Sequence, residues 1–499
     1  MSALHYFARN SVIRIASFAV GVGFTLVVTP VVVGAMGKAQ YGVWVLVSSV
    51  GAYFLLLEGG VMQAVSRFAA AAIARGDGEE VDRVFTAGVA LHGLACVAGL
   101  LATVLVVACT GLFDVQHVSP GRLRQSLFIY CSCLGVMFLF KTYTGILMAE
   151  MRWTFIALLA MLRSIVTSLA VLFTIDESNG LVLLSAVNGS GFLLESLLAV
   201  LAVRLRGSAH LRPRLFDRQL ARQLLGYGWS FTVSLIGESM RYRPQHYIIA
   251  FFLGVREVAV FAIAMQFVNY FQSLMLSAFG IMVPYFSRMQ ASGDGQGTRE
   301  TLLYSLRLSH VFSSVIALCL IFYGRDFILL WLGDGFAASY DALVPMSIGA
   351  ALSLGMMPSD GYLLGTAAHR MLARCTVAEG VGMTVLALLL VRPFGLAGVA
   401  WAFLVASVVF RAGLVPWLVF GHAGLSYAAY GRLLAGLAVT HVLPQAGCHL
   451  LIRGSLGTGY WQLAVYGMAQ VCLALLTEAA VMRWHGRRQP APSPEGGAA

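Results

Sequence analysis

Nine charged residues inside the long apolar runs of this 499-residue chain are candidates for chemistry: Glu58, Lys141, Arg163, Glu195, Glu238, Arg241, Arg243, Asp360 and Glu379. A charge at the centre of a bilayer costs at least ~2.5–3.5 kcal/mol, so each must face a water-filled cavity or a partner of opposite sign. The cations could hold an anionic group such as a phosphate; the acids could take up a proton or a metal cation. Lys141 carries the most weight. It is one of only two lysines, the other being Lys38, and has no acid within four residues. Lys141, Arg163, Arg241 and Arg243, with Arg14 and Arg67, form the candidate cavity set. The alternative for Lys141 is a structural bridge to Glu58 or Glu195. Glu58, Glu238, Asp360 and His246 are the candidates for a coupling proton or sodium ion. Arg14, Arg67, Arg411 and Glu478 also lie near enough to the cytoplasmic ends of their runs to reach the interface. His92 and His310 are expected to be packing residues rather than proton carriers.

The segment Gly237-Glu-Ser-Met-Arg-Tyr-Arg-Pro-Gln-His-Tyr247 is the most unusual. Pro244 removes a backbone donor and clashes with the preceding turn, which predicts a kink or break directly after Arg243. A break surrounded by Glu238, Arg241, Arg243 and His246 suits a gating helix. The plainer reading is a proline bend in which Glu238 and Arg241, three residues apart, satisfy each other.

These residues must be positioned by apolar helices. The chain is 59% hydrophobic and 11% charged, against roughly 25% charged in soluble domains. Runs of the length needed to cross a bilayer, about 20 residues, recur fourteen times between residues 11 and 484. The expectation is an all-α integral membrane protein of about fourteen transmembrane helices. With the N-terminus placed in the cytoplasm, twenty Lys and Arg fall on inside segments and seven on outside loops, the asymmetry that sets orientation. Both termini are then cytoplasmic. The eight cysteines lie in or beside apolar runs without metal-ligand spacing, as packing residues do. The run after Arg14 is too long for a signal-peptide core and reads as a retained first helix.

An internal repeat divides the chain. Gly37 matches Gly254, Ser66-Arg-Phe matches Ser287-Arg-Met, Gly76-Asp-Gly matches Gly293-Asp-Gly, His92 matches His310, and Gly180-Leu matches Gly395-Leu, all at offsets between 215 and 221. The reading is an N-terminal lobe (1–203, helices 1–6) and a C-terminal lobe (223–420, helices 7–12). Two appended helices follow (421–484), then a Pro/Gly/Ala-rich tail (485–499) expected to be disordered. Between the lobes, residues 204–222 carry six arginines against Asp217. Their place between equivalent lobes, on the basic side of the membrane, makes them a cytoplasmic connector near anionic headgroups rather than a nucleic-acid patch.

The stretch PVVVGAMGKAQYGVWVL, followed by LLLEGGVMQAVSRFAA, resembles the opening of the Wzx-type polysaccharide flippases of the multidrug/oligosaccharidyl-lipid/polysaccharide exporter (MOP) superfamily. Pro30, Gly37 and Tyr41-Gly42 match the end of that family's first helix. Glu58-Gly59-Gly60 before Arg67 matches its acid-plus-glycine turn, with Glu where Asp is usual. FILLWLGDGFAASYDALVPM (327–346), GTAAHRM (365–371) and GLAGVAWA (395–402) extend the resemblance over roughly 11–420. Gln245-His246 departs from it where many relatives carry an acid. The resemblance implies translocation of an undecaprenyl-diphosphate-linked oligosaccharide repeat unit across the bacterial inner membrane by alternating access, for O antigen, capsule or exopolysaccharide. Polysaccharide polymerase and chain-length or export proteins would be partners.

No phosphate-binding loop of the GxxxxGK[ST] form is present: GAMGKA at 34–39 has neither the spacing nor the hydroxyl. HExxH, GxSxG and paired-cysteine motifs are absent too, so no cofactor and no enzyme activity are expected. Two rivals stand. A multidrug exporter of the same superfamily would want acids in its cavity, and a polysaccharide polymerase or ligase would want a larger outside loop than about 323–341.

Overall fold

Every regular element of the computed structural model among the described residues is helical, because almost every run is apolar on all sides and bonds its own backbone, as a bilayer demands. The structure describes residues 3–112, 118–280, 282–366, 368–452 and 459–486, with most of the side chains from residue 18 onward. The helices are α1 (Ala3–Phe54), α2 (Val61–Arg75), α3 (Gly78–Ala108), α4 (Pro120–Ala149), α5 (Trp153–Thr174), α6 (Gly180–Arg206), α7 (Arg218–Tyr242), α8 (Pro244–Phe252) and α9 (Val255–Phe279). There follow α10 (Met282–Ser292), α11 (Gly295–Leu332), α12 (Ala338–Gly355), α13 (Met357–Gly365), α14 (His369–Ala406), α15 (Val415–Ala423), α16 (Tyr427–Leu437), α17 (Leu443–Ile452) and α18 (Tyr460–Gly486).

Eleven helical stretches among the described residues are long and apolar enough to cross a membrane. Two of these are double: α1 turns at Gly37 (φ 70°) and α14 at Gly395 (φ 58°). With Arg218–Phe252, whose charges keep its hydropathy low, the order is that of the fourteen spans read from sequence. Phe173, Phe251 and Leu451 are more than four-fifths exposed, as lipid-facing side chains of such a protein must be. The chain forms two compact units, one of residues 1–263 with 376–399, the other of 264–375 with 400–499.

The repeat has a local physical cause. Gly76 and Gly293 both end a helix in the left-handed conformation (φ 69° and 72°). The next residue caps the following helix each time: Asp77 accepts from the Glu80 amide at 3.0 Å and Asp294 from the Gly297 amide at 2.8 Å. Such a cap satisfies amide donors that the first helical turn leaves unpaired.

Close crossings in the first unit depend on missing side chains. A Cβ on Gly42 would lie 1.9 Å from the Val255 carbonyl oxygen. Gly42→Ala is therefore expected to lower the melting temperature of the purified protein by several degrees, whereas Gly23→Ala, where nothing lies within 4 Å, leaves it unchanged; melting in detergent checks this.

The basic connector is anchored rather than loose. Asp82 of α3, whose side chain is 7% exposed, accepts from the His210 amide at 2.7 Å and pairs with Arg212 at 3.0 Å. Thr86 adds a bond from the Arg212 amide at 3.1 Å, and Asp217 caps α7 through the Gln219 and Leu220 amides. Residues 487–499, most of the expected tail, lie outside the described residues.

Candidate functional site

The helix that begins after Gly37 stops at Leu55–Glu58, and Gly59 and Gly60 both take left-handed conformations (φ 64° and 65°) before α2 starts. Glu58 explains the restart. Its Oε1 accepts from the Met62 amide at 3.0 Å, so a carboxylate sits at the positive end of α2. Gly60 is required by a second neighbour: its Cβ would lie 2.4 Å from the Gly228 carbonyl oxygen of α7.

Around this break the first unit gathers polar groups from three helices. His92 of α3 is fully buried, with Nε2 3.7 Å from the Glu58 carboxylate and Nδ1 2.7 Å from the Thr142 hydroxyl of α4. Beside Thr142 is Lys141, half-buried, its ammonium within electrostatic reach of Glu58. Lys141 has no carboxylate within ion-pair distance among the described residues. His92 is thus more than a packing residue: it bridges the break to α4. His310, its counterpart, is satisfied locally, with Nδ1 2.9 Å from the Leu306 carbonyl and Nε2 3.3 Å from the Tyr430 hydroxyl.

Two of the candidate cations are neutralised. Arg163 Nε bonds the Glu195 carboxylate at 2.7 Å, and its guanidinium lies 4.5 Å from the centre of the Phe192 ring. Arg241 pairs with Glu379 at 2.9 Å, their side chains 8% and 2% exposed. Glu379, from the far side of the sequence, is the acid at ion-pair distance from Arg241, and Glu238 is exposed.

Arg243 stands apart. α7 ends at Tyr242 and α8 begins with Pro244 at its first position, where a missing amide donor costs nothing. The expected break is there, with Arg243 as the joint between the two helices. Its charge reaches Tyr53, Tyr130 and Tyr247. Those tyrosines stand in two aromatic pairs, Tyr53 with Tyr247 (6.1 Å between ring centres) and Tyr130 with Trp44 (5.5 Å). No carboxylate lies within ion-pair distance of Arg243 among the described residues. Gln245 is fully buried and neither atom of its amide has a partner, while His246 packs edge-on against Phe261. Arg67 is exposed, its guanidinium 4.4 Å above the Tyr227 ring. The side chain of Arg14 lies outside the described residues.

In the second unit Asp360 is held by Arg411 at 3.0 and 3.1 Å. Arg411 is 4% exposed and lies in the π-helical segment Ser407–Leu414, so it is a buried partner and does not reach for the interface. Glu478 is also buried rather than interfacial, bound to Arg307 and near His441. Sequence reasoning missed Arg307 and His441. The only signal available was an unexplained Arg and His inside apolar runs.

Fold and buried charge together define a polytopic helical membrane protein. Its fold is that of MOP-superfamily transporters: it resembles an inward-facing multidrug resistance MATE family transporter of that superfamily (TM-score 0.71, 14% identity, 85% of this chain and 99% of that one). It also resembles an outward-facing MATE family transporter (TM-score 0.62, 15% identity, 85% and 96%). A MOP-superfamily transporter from Pyrococcus furiosus, described as having a binding pocket of reverse polarity that suggests a different function, is similar to the same degree (TM-score 0.62, 15% identity, 85% and 96%). Residues 35–341 match the polysaccharide biosynthesis protein family, and the chain belongs to that family. No curated protein matches it significantly.

Proposed function

We propose that the chain is a flippase that carries an undecaprenyl-diphosphate-linked oligosaccharide repeat unit from the cytoplasmic to the periplasmic face of the bacterial inner membrane, with both termini cytoplasmic. The observation that carries this reading is the state of the intramembrane cations: Arg163 and Arg241 are paired with acids, while among the described residues no carboxylate lies within ion-pair distance of Arg243 or Lys141. A guanidinium fits phosphate through paired N–H donors, and an ammonium adds a point charge. Arg243 sits among tyrosines, which offer hydroxyl donors and flat apolar faces suited to sugar rings. Its place at the break between α7 and α8 links binding to a joint that can bend, and discontinuous helices are where transporters build such sites.

Energetically, ATP is not required. Moving an anion outward through the membrane potential is worth ~2.3 kcal/mol per charge per 100 mV, so two phosphate charges drive the cycle in the export direction. The MATE neighbours make multidrug export the competing reading, but an unneutralised Arg and Lys would repel cationic drugs. The neighbour whose pocket is described as of reverse polarity is consistent with a cargo other than theirs.

Deleting the gene is expected to leave the lipid-linked repeat unit on the cytoplasmic face of the membrane, protected from periplasmic probes, and to abolish surface polysaccharide. Restored polymer with unprotected repeat unit in the deletion strain would sink the proposal. Lys141→Ala should lower export severalfold in the same strain, and Lys141→Arg should retain most of it. Normal export by Lys141→Ala would remove that residue from the site.

A further inference from the structure

A second buried cluster lies in the other compact unit. After α16 the chain passes through a π-helical segment, Ala438–Val442, that buries His441 at 1% exposure. Its Nε2 is 3.2 Å from Oε2 of Glu478 on α18. Arg307 of α11 holds the same carboxylate with both edges of its guanidinium, Nε to Oε1 at 2.9 Å and Nη2 to Oε2 at 3.0 Å. On the other side of the ring, Nδ1 is 2.8 Å from the Thr440 hydroxyl oxygen, which is itself 2.9 Å from the Gly436 carbonyl.

Two proton arrangements satisfy these distances. A hydroxyl has one proton to give, and a carbonyl can only accept. In the first, Thr440 donates to Gly436 and Nδ1 of His441 donates to Thr440. Among the described residues Nε2 has no hydrogen-bond partner, but it lies 3.2 Å from the Glu478 carboxylate, whose charge would hold a second ring proton there. In the second, the imidazole is neutral with its proton on Nε2, and Thr440 turns from Gly436 to Nδ1. The two arrangements differ by one proton and by the hydroxyl bond to a backbone carbonyl in the turn that leads into the π-helical segment, a kind of distortion often found at functional sites.

The cluster adjoins a cavity of about 490 Å³, lined by Arg307 and Thr440, with Tyr304, Arg432, Leu303 and Leu437. Among the described residues, Glu478 from α18 and Arg307 from α11 are the charged groups that face the imidazole; Arg432 and Tyr304 border the cavity beyond. His449 of α17 stacks on Phe322 instead, and Cys319 of α11 bonds Gln470.

We propose that His441, Glu478 and Arg307 form a proton-binding site beside the cavity, whose emptying switches the Thr440 hydroxyl, in the π-helical turn of the 427–452 span, from the Gly436 carbonyl to the imidazole. The ligand is a proton, and the site does not depend on which substrate the protein carries. It uses none of Glu58, Glu238, Asp360 and His246, the groups that sequence singles out for coupling.

The test is nitrogen NMR of the full chain labelled at histidine, in lipid nanodiscs, with His441→Gln to assign the signal. His441 is expected to carry protons on both nitrogens at low pH and to pass to the Nε2–H form as pH rises. Glu478→Gln should lower the midpoint by at least about one pH unit, because a neighbouring carboxylate favours the charged imidazole. Thr440→Val, which leaves the Arg307 pair intact, should lower it as well and serves if Glu478→Gln does not fold. A signal that stays neutral from about pH 5 to about pH 9, or a midpoint unmoved by Thr440→Val, would overturn the assignment.

Discussion

Arg243→Ala is expected to reduce export of lipid-linked repeat unit by at least tenfold while leaving the protein folded and in the membrane. Hydrogen bonds to charged groups are worth about 1.5–3 kcal/mol, and each 1.4 kcal/mol is about tenfold in an equilibrium constant. Among the described residues Arg243 makes no ion pair that the substitution would break, so its loss should fall on binding rather than on stability. Arg243→Lys keeps the charge and loses the paired donors, so it should fall between parent and alanine. The measurement is polymer at the cell surface, normalised to the amount of folded protein in the membrane. If Arg243→Ala exports at the parental level, the anion-binding role of this residue is wrong.

Arg241 and Glu379 should behave in the opposite manner. Both are nearly inaccessible, and removing one partner of a buried pair costs about 3–5 kcal/mol because the other charge is left uncompensated. Glu379→Ala is therefore expected to cost most of the folded yield, read as the monodisperse fraction on size exclusion and the melting temperature in detergent. The pair Arg241→Met with Glu379→Leu removes both charges together and should restore much of the loss, as apolar replacement of buried pairs often does. Equal damage from the single and double substitutions would mean that the pair does more than neutralise itself. The contrast between neighbours on one helix, Arg241 for stability and Arg243 for binding, is the sharpest consequence of the site's geometry.

The fold was largely legible in the sequence because its causes are local. Apolar run length gives the spans, and Gly76-Asp77 and Gly293-Asp294 mark equivalent helix junctions because each pair does one job, ending one helix and capping the next. Pro244 marks the break that its missing donor forces. The charge partners were not legible in the same way. Arg163 finds Glu195 across 32 residues, Arg411 finds Asp360 across 51, and Arg307 finds Glu478 across 171. Sequence offers only neighbours along one helix, which is why Glu379 could not be read as a partner of Arg241 and why Arg411 and Glu478 looked interfacial. The residues proposed to hold the substrate emerge only after the paired ones have been subtracted.

Purified protein reconstituted in liposomes with a fluorescent undecaprenyl-diphosphate-linked oligosaccharide tests the central claim most directly, because a membrane-impermeant quencher reports which leaflet holds the head group. The account predicts that added quencher reaches nearly all of the probe when the parent protein is present, and only the outer-leaflet half within the same time when Arg243→Ala replaces it. Quenching that stops at the outer leaflet with folded parent protein present, under a membrane potential favouring outward movement of anions, would contradict it.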